Sequence, residues 1–177
     1  MTDPNLFLIG DPPTPNPLVS GLLGMLRYAR STTLQAVDNL TVEQLDHRQD
    51  SSANSIGALL LHMAAAEAIY QADTFDERER NTAEEARWRV PLELGPTAHQ
   101  SIRNHPLSYY QDILAEVRAR TELELSRRDD AWLSEAMPFL HFRATRYWMW
   151  FHVCEDEINH RGQIRWLVKR LPLTQDS

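Results

Sequence analysis

The segment from Thr145 to Arg170 constrains the fold more than any other stretch of the chain. Met149, Val153, Asp156, His160, Ile164, Leu167 and, just beyond it, Leu171 recur at three- and four-residue steps, the spacing that gathers side chains on one face of an α-helix. Such a stripe has to be covered, and other segments repeat it. Leu22, Leu26, Ala29, Thr33, Ala36 and Leu40 form one, and Tyr110, Leu114, Val117, Thr121 and Leu125 form another. The run that begins after Asn54 and reaches about Phe75 is apolar on nearly every side around residues 58–66, which predicts a helix packed against more than one neighbour. No segment alternates with period two between hairpin turns, so no strand is predicted. Four long helices in a chain of 177 residues predict one all-α domain, a four-helix bundle.

The links between the helices set its boundaries. Five of the ten prolines lie among residues 1–17, which predicts an extended arm there, a folded domain over 18–171 and a short tail at 172–177. Thr41-Val42-Glu43-Gln44 has the form of a capping box at a short helical turn. From Asp76 to Pro106 the periodicity is lost. A connection of that length should hold structure of its own, with a short helix starting at Thr82-Ala83-Glu84-Glu85, and it predicts a long crossover between helices two and three. Ser108-Tyr109-Tyr110-Gln111 opens helix three, and Pro138 marks a second irregular stretch before the last helix.

Composition excludes several classes of function. With 18 Lys+Arg against 25 Asp+Glu, a formal charge of −7, the chain is not built to neutralise phosphates, and no nucleic-acid partner is expected. The arginine pairs Arg27/Arg30, Arg78/Arg80 and Arg127/Arg128 are interleaved with acids and read as solvated helix faces. The single cysteine, Cys154, excludes an intrachain disulfide framework and reads as a buried thiol of a protein in a reducing compartment. No signal-like or membrane-spanning run is visible, so the expected location is the cytoplasm, with no membrane partner.

Chemistry is indicated where polar residues interrupt the stripes. Asp156 and His160 occupy the centre of the last helix's apolar face, four residues apart, and His62 interrupts helix two in the same way. An i, i+4 pair lies about 40° apart in azimuth and roughly 6 Å apart along the axis, close enough to share one ion. A carboxylate placed there needs either a cation or a full hydrogen-bond shell. Spacing alone leaves both open: a satisfied histidine–carboxylate network, or two imidazoles and a carboxylate around a divalent metal. His152, one turn earlier, is a candidate for a further ligand or for proton transfer, or an ordinary half-buried histidine. Glu155 and Glu157 read as solvated helix charges, with support of the ligands as the alternative, and Glu67, five residues from His62, falls off its face. His47, His99, His105 and His141 lie outside the stripes. The aromatic group Tyr147, Trp148, Trp150 and Phe151, with Trp132, Phe139 and Phe142 nearby, covers several azimuths: one face packs in the core and another is left for a homodimer contact or a pocket wall, with core plus loop cover as the alternative. Gly162, inside the last helix, predicts a close backbone approach by a neighbour.

The segment Asn54-Ser55-Ile56-Gly57-Ala58-Leu59-Leu60-Leu61-His62-Met63, with Glu67 after it, and the segment Glu155-Asp156-Glu157-Ile158-Asn159-His160-Arg161-Gly162-Gln163-Ile164 together resemble the paired motifs of the DinB superfamily, the DinB/YfiT-like metalloenzymes. The resemblance spans Leu18 to Leu171. It implies a four-helix bundle with a long crossover between helices two and three, frequent homodimers, and a divalent metal, zinc or nickel foremost and iron or manganese by ligand type. The ligand positions it implies are His62, Asp156 and His160. The earlier position on the last helix is usually histidine, or glutamate in the mycothiol-dependent branch; here it is the shorter Asp156. The resemblance also implies a thiol-dependent transferase or a hydrolase acting on a small electrophilic substrate, with a low-molecular-weight thiol as cofactor; the residue reading adds His152 as the candidate for proton transfer. The alternative is a non-catalytic bundle, a stress-response protein that binds a ligand or partner and whose polar core residues are structural.

Overall fold

The computed structural model describes residues 6–10 and 14–172. Among the described residues eight α-helices follow one another: α1 (Pro17–Ala36), α2 (Val42–Asp46), α3 (Ile56–Gln71), α4 (Thr82–Glu93), α5 (Gly95–Ser101), α6 (Leu107–Leu125), α7 (Asp130–Ser134) and α8 (Arg146–Val168). The long helices α1, α3, α6 and α8 make the bundle, with α1 packed on α8 and α3 packed on both α6 and α8. The expected stripes are its core: Leu22, Leu26, Ala29, Leu114, Val117, Leu125, Ile164 and Leu167 are buried. The link between α3 and α6 is the predicted crossover, and its helix α4 lies against α3.

Helix ends sit where local chemistry satisfies their free amides. Pro17 begins α1, and the Asp130 carboxylate of α7 accepts from the backbone N–H groups of Leu18 and Val19 at 3.1 and 3.0 Å. Thr41 and Asn81 each complete a capping box, with Gln44 and with Glu84. Thr145 caps α8 through Trp148 N–H. Of the expected arm, Pro4, Pro12 and Pro13 lie outside the described residues; Leu6 is buried, Ile9 passes close over Gly24, and Phe7 meets Tyr28 on α1. The expected tail lies outside the described residues except Pro172.

Three expectations need correction. A two-stranded antiparallel hairpin, β1 (Ala136–Phe139) and β2 (Phe142–Thr145), occupies the stretch around Pro138. It escaped the sequence reading because each strand has four residues and the two-residue turn is Leu140-His141, not an Asn-Gly type; Leu140 takes the left-handed conformation such a turn requires, at φ 52°. Gly162 has no neighbour within 4 Å of a Cβ added to it among the described residues, so no part of the described chain makes the expected close approach there. The close approach is at Gly57, where a Cβ would lie 2.5 Å from the Tyr110 hydroxyl oxygen. Finally, Arg30 and Glu157 are buried, not solvated.

Those two belong to a charge cluster to which every bundle helix gives one residue: Arg30 from α1, Glu67 from α3, Arg118 from α6 and Glu157 from α8. Arg30 Nε donates to Glu157 at 2.8 Å and its Nη2 to Glu67 at 3.0 Å, while Arg118 donates to Glu67 at 2.7 and 3.0 Å and to Glu157 at 2.8 Å. Spare guanidinium N–H groups donate to the carbonyls of Leu114 and Leu26. Burial pushes the Glu67 carboxyl upward, but Arg118 and Arg30 outweigh it and hold it at about 2. Two positive and two negative charges, all paired, fix how the four helices meet.

Candidate metal centre

The chain brings His62, Asp156 and His160 together where α3 faces α8. One ligand-type atom from each lies within 4.8 Å of the other two. His62 Nε2 is 3.9 Å from Asp156 Oδ2, His160 Nε2 is 3.3 Å from Asp156 Oδ1, and the two imidazole centroids are 4.6 Å apart. Donor atoms bound to one ion at about 2.1 Å lie at most about 4.2 Å apart, and each imidazole–carboxylate pair falls inside that limit, His62 to Oδ2 and His160 to Oδ1.

The ring orientations are set from outside the triad. His62 Nδ1 is 3.1 Å from the carbonyl oxygen of Pro91. A carbonyl only accepts, so the proton sits on Nδ1 and Nε2 keeps its lone pair toward Asp156. Pro91 can accept because it lies in the last turn of α4, where carbonyls lack intrahelical donors. Thus the crossover supplies the group that orients a residue of the bundle. His160 Nδ1 donates to Gln163 Oε1 at 3.3 Å, again leaving Nε2 for the centre.

Burial and the neighbouring His160 hold His62 below the ordinary imidazole value, against the attraction of Asp156. Burial also lowers His160, but the hydrogen bond and charge of Asp156 outweigh it and leave His160 raised. For Asp156, burial works upward, and the hydrogen bond from His160 with the nearby imidazoles turns the balance downward. An anionic carboxylate beside a neutral imidazole is the donor set of a divalent cation such as zinc, nickel or ferrous iron.

A cavity of about 420 Å³ opens beside the triad, lined by His62 and Asp156 and walled by Tyr70, Asp73, Phe139 and His152 among others. His152 is not one of the three grouped ligand residues. Its Nδ1 donates to Glu155 at 3.1 Å, and its ring stacks on Trp148 at 5.2 Å and 7°. Of the two flanking acids, Glu155 is therefore the one beside the site, while Glu157 turns into the charge cluster. Glu67 likewise faces the cluster, as its spacing from His62 predicts. The other histidines lie apart: His99 bonds Asn54 and Arg48, and His105 stacks on Tyr109. Cys154 is a buried free thiol, as expected.

Sequence reasoning passed over Tyr70 and Asp73, and did not place Phe139 at this site. The signal was present for the first two, since His62, Ala66, Ile69, Tyr70 and Asp73 follow helical spacing along one face. A π-helical turn at Ala72–Asp76 continues α3 and carries Asp73, a local widening of the kind that often accompanies functional sites. Burial, with Asp73 and Asp156 nearby, pushes the Tyr70 hydroxyl up to about 12, so it stays protonated. Burial also raises Asp73. Phe139 was noted only within the aromatic group near the last helix, and the unpredicted hairpin is what brings it to the cavity.

Among the described residues no helix is long and apolar enough to cross a membrane. A comparison with the curated proteins found no match. Among solved structures, a conserved protein from Enterococcus faecalis superposes with a TM-score of 0.67 at 17% identity, over 85% of this chain and 96% of that one. A DinB-like protein from Bacillus cereus ATCC 10987 gives a TM-score of 0.56 at 17% identity, over 89% of this chain and 96% of that one. These likenesses establish the fold as DinB-like. The model of the mycothiol-S-transferase family matches residues 21–171, nearly the whole helical domain, and the chain belongs to that family within the DinB superfamily.

Proposed function

We propose that the protein is a divalent-metal-dependent thiol transferase that joins a low-molecular-weight thiol, mycothiol by the description of its family, to a small electrophilic substrate. His62, Asp156 and His160 hold the ion. The observation that carries this reading is the pair of imidazoles whose Nδ1 atoms are engaged by Pro91 and Gln163, leaving both Nε2 atoms on the side of Asp156.

A divalent ion at this centre supplies Lewis acidity, lowering the pKa of a thiol that ligates it. The transfer forms one C–S bond from the sulfur lone pair and breaks the bond to the leaving group, which departs with its electron pair; the thiol proton must go elsewhere. His152 takes that proton at Nε2, since Nδ1 is committed to Glu155. Stacking on Trp148 fixes the plane of its ring, and Tyr70 and Phe139 exclude water from the cavity wall. The exposed faces of Trp148, Phe151 and Phe142 are read as the contact surface of a homodimer, to be tested by the mass of the particle in solution.

The reaction is tested by loading the protein with zinc, nickel, manganese or ferrous iron in turn and following conjugation of mycothiol to monochlorobimane. Metal-dependent turnover that falls about a hundredfold or more in His152→Ala, with metal content unchanged, is the expected result. Turnover that is equal with and without metal would overturn the mechanism. Absence of both metal and turnover would return the chain to the reading of a ligand-binding bundle.

A further inference from the structure

The cavity at the triad does not end at its own walls. Asp73, Arg80, Phe139 and Leu140 also border a second cavity, of about 800 Å³, that lies under the hairpin and against Glu77, Arg78, Glu79 and Glu85. The two spaces share these four residues, so a substrate whose reacting end sits at the triad would lay its remainder past them, Asp73 included.

Most charges along that path are matched within the protein. Arg146 pairs with Glu77, Arg78 pairs with Glu84 at 2.7 Å and Asp76 at 3.2 Å, and Arg80 donates to Glu85 at 2.6 Å. Glu79 is exposed. Asp73 is different. It is half-buried, no donor among the described residues hydrogen-bonds its carboxylate, and its nearest cation is Arg80 Nη1 at 3.8 Å, on a guanidinium already engaged by Glu85. A carboxylate partly withdrawn from water and short of donors favours a cationic partner. The groups beside it suit the same partner: Tyr70, three residues earlier, stacks with Phe139 at 6.3 Å and meets His152 edge-on at 6.0 Å, and aromatic faces attract organic cations. Arg80 opposes a cation there, but Glu85 balances its charge.

We propose that the substrate of this site is a compact organic cation, carrying an ammonium group that rests against Asp73 and the faces of Tyr70 and Phe139 where the two cavities meet. This rests on the proposed function only for which end of the substrate reacts; recognition of the ammonium needs no metal.

The test uses a pair of probes that differ in charge and hardly in shape, choline and 3,3-dimethylbutan-1-ol. A trimethylammonium has no lone pair with which to ligate a metal, so binding reports on the carboxylate and aromatic wall. Calorimetric titration of the full chain, before and after chelation, is expected to show choline bound about tenfold more tightly than the alcohol. Asp73→Asn should abolish the preference while the helical signal and melting temperature are kept, and Tyr70→Phe should preserve it. Equal binding of the two probes, no choline binding at millimolar concentration, or a preference that survives in Asp73→Asn would overturn the inference. A chain that takes up metal and shows no preference refutes this inference alone, whereas a preference in a chain that binds no metal refutes the metal reading alone.

Discussion

Asp156 and Glu157 are consecutive residues of α8, and they meet opposite fates. Glu157 turns into the bundle, where Arg30 and Arg118 donate to its oxygens and it is 2% exposed. Asp156 turns to the cavity, where its close partners are two imidazoles at 3.3 and 3.9 Å, each presenting Nε2 to it. About 100° of helix rotation separates the two environments. The first acid is saturated by the protein's own cations and specifies how four helices assemble. The second is left with donors suited to something the chain does not itself contain. A buried charge with a full set of partners is evidence about folding, and one with an incomplete set is evidence about binding.

This contrast can be broken most severely at Arg118. Arg118→Met leaves Glu67 and Glu157 short of donors inside the core, and urea denaturation should show a loss of about 3–5 kcal/mol. A loss below about 1 kcal/mol would mean the cluster is not what holds the helices together. The same cluster should be sensitive to acid. Glu67 is held at about 2 in the folded chain, below the value near 4.3 of an unfolded glutamate, so its stabilisation is complete above that unfolded value and drains away as pH falls toward 2. Urea midpoints at about pH 5 and about pH 3 should therefore differ in wild type, and differ less in Glu67→Gln.

Two glycines sharpen the contrast between the closed and open sides. Gly57→Ala drives a methyl group into the Tyr110 hydroxyl and should cost about 1–3 kcal/mol. Gly162→Ala fills open space in a helix interior and should raise stability by up to about 1 kcal/mol, which a thermal melt would register as a higher midpoint. At the triad the effect on folding is the smallest: His160→Ala, measured after chelation, should change stability by less than about 1 kcal/mol, because it removes a half-buried ring that the fold does not need.

Much of this was legible in the sequence, and the failures have physical reasons. The stripes on α1, α6 and α8 marked the core because an apolar face has few places to go, and the two interruptions at Asp156 and His160 marked the site because packing alone would favour leucine there. Arg30 and Glu157 were misread as solvated, since a charge that will be paired across helices looks in sequence like one that will face water. Gly162 was misread because helix propensity records the cost of a glycine and not whether a neighbour occupies the space. Pro91 could not have been found: its role is that of a backbone carbonyl, which carries no signature in its side chain. Tyr70 and Asp73 share a helical face with His62, and a search along that face would have reached them.

The central claim is that Asp156 is a ligand whereas Glu157 is part of the fold. It is tested most directly by elemental analysis of protein purified without a metal-affinity column, comparing wild type with Asp156→Asn and confirming that the variant keeps its helical signal. The account predicts about one divalent ion per wild-type chain and none in the variant. Metal retained in Asp156→Asn, or none in the wild type even after incubation with zinc, nickel, manganese and ferrous iron, would contradict it.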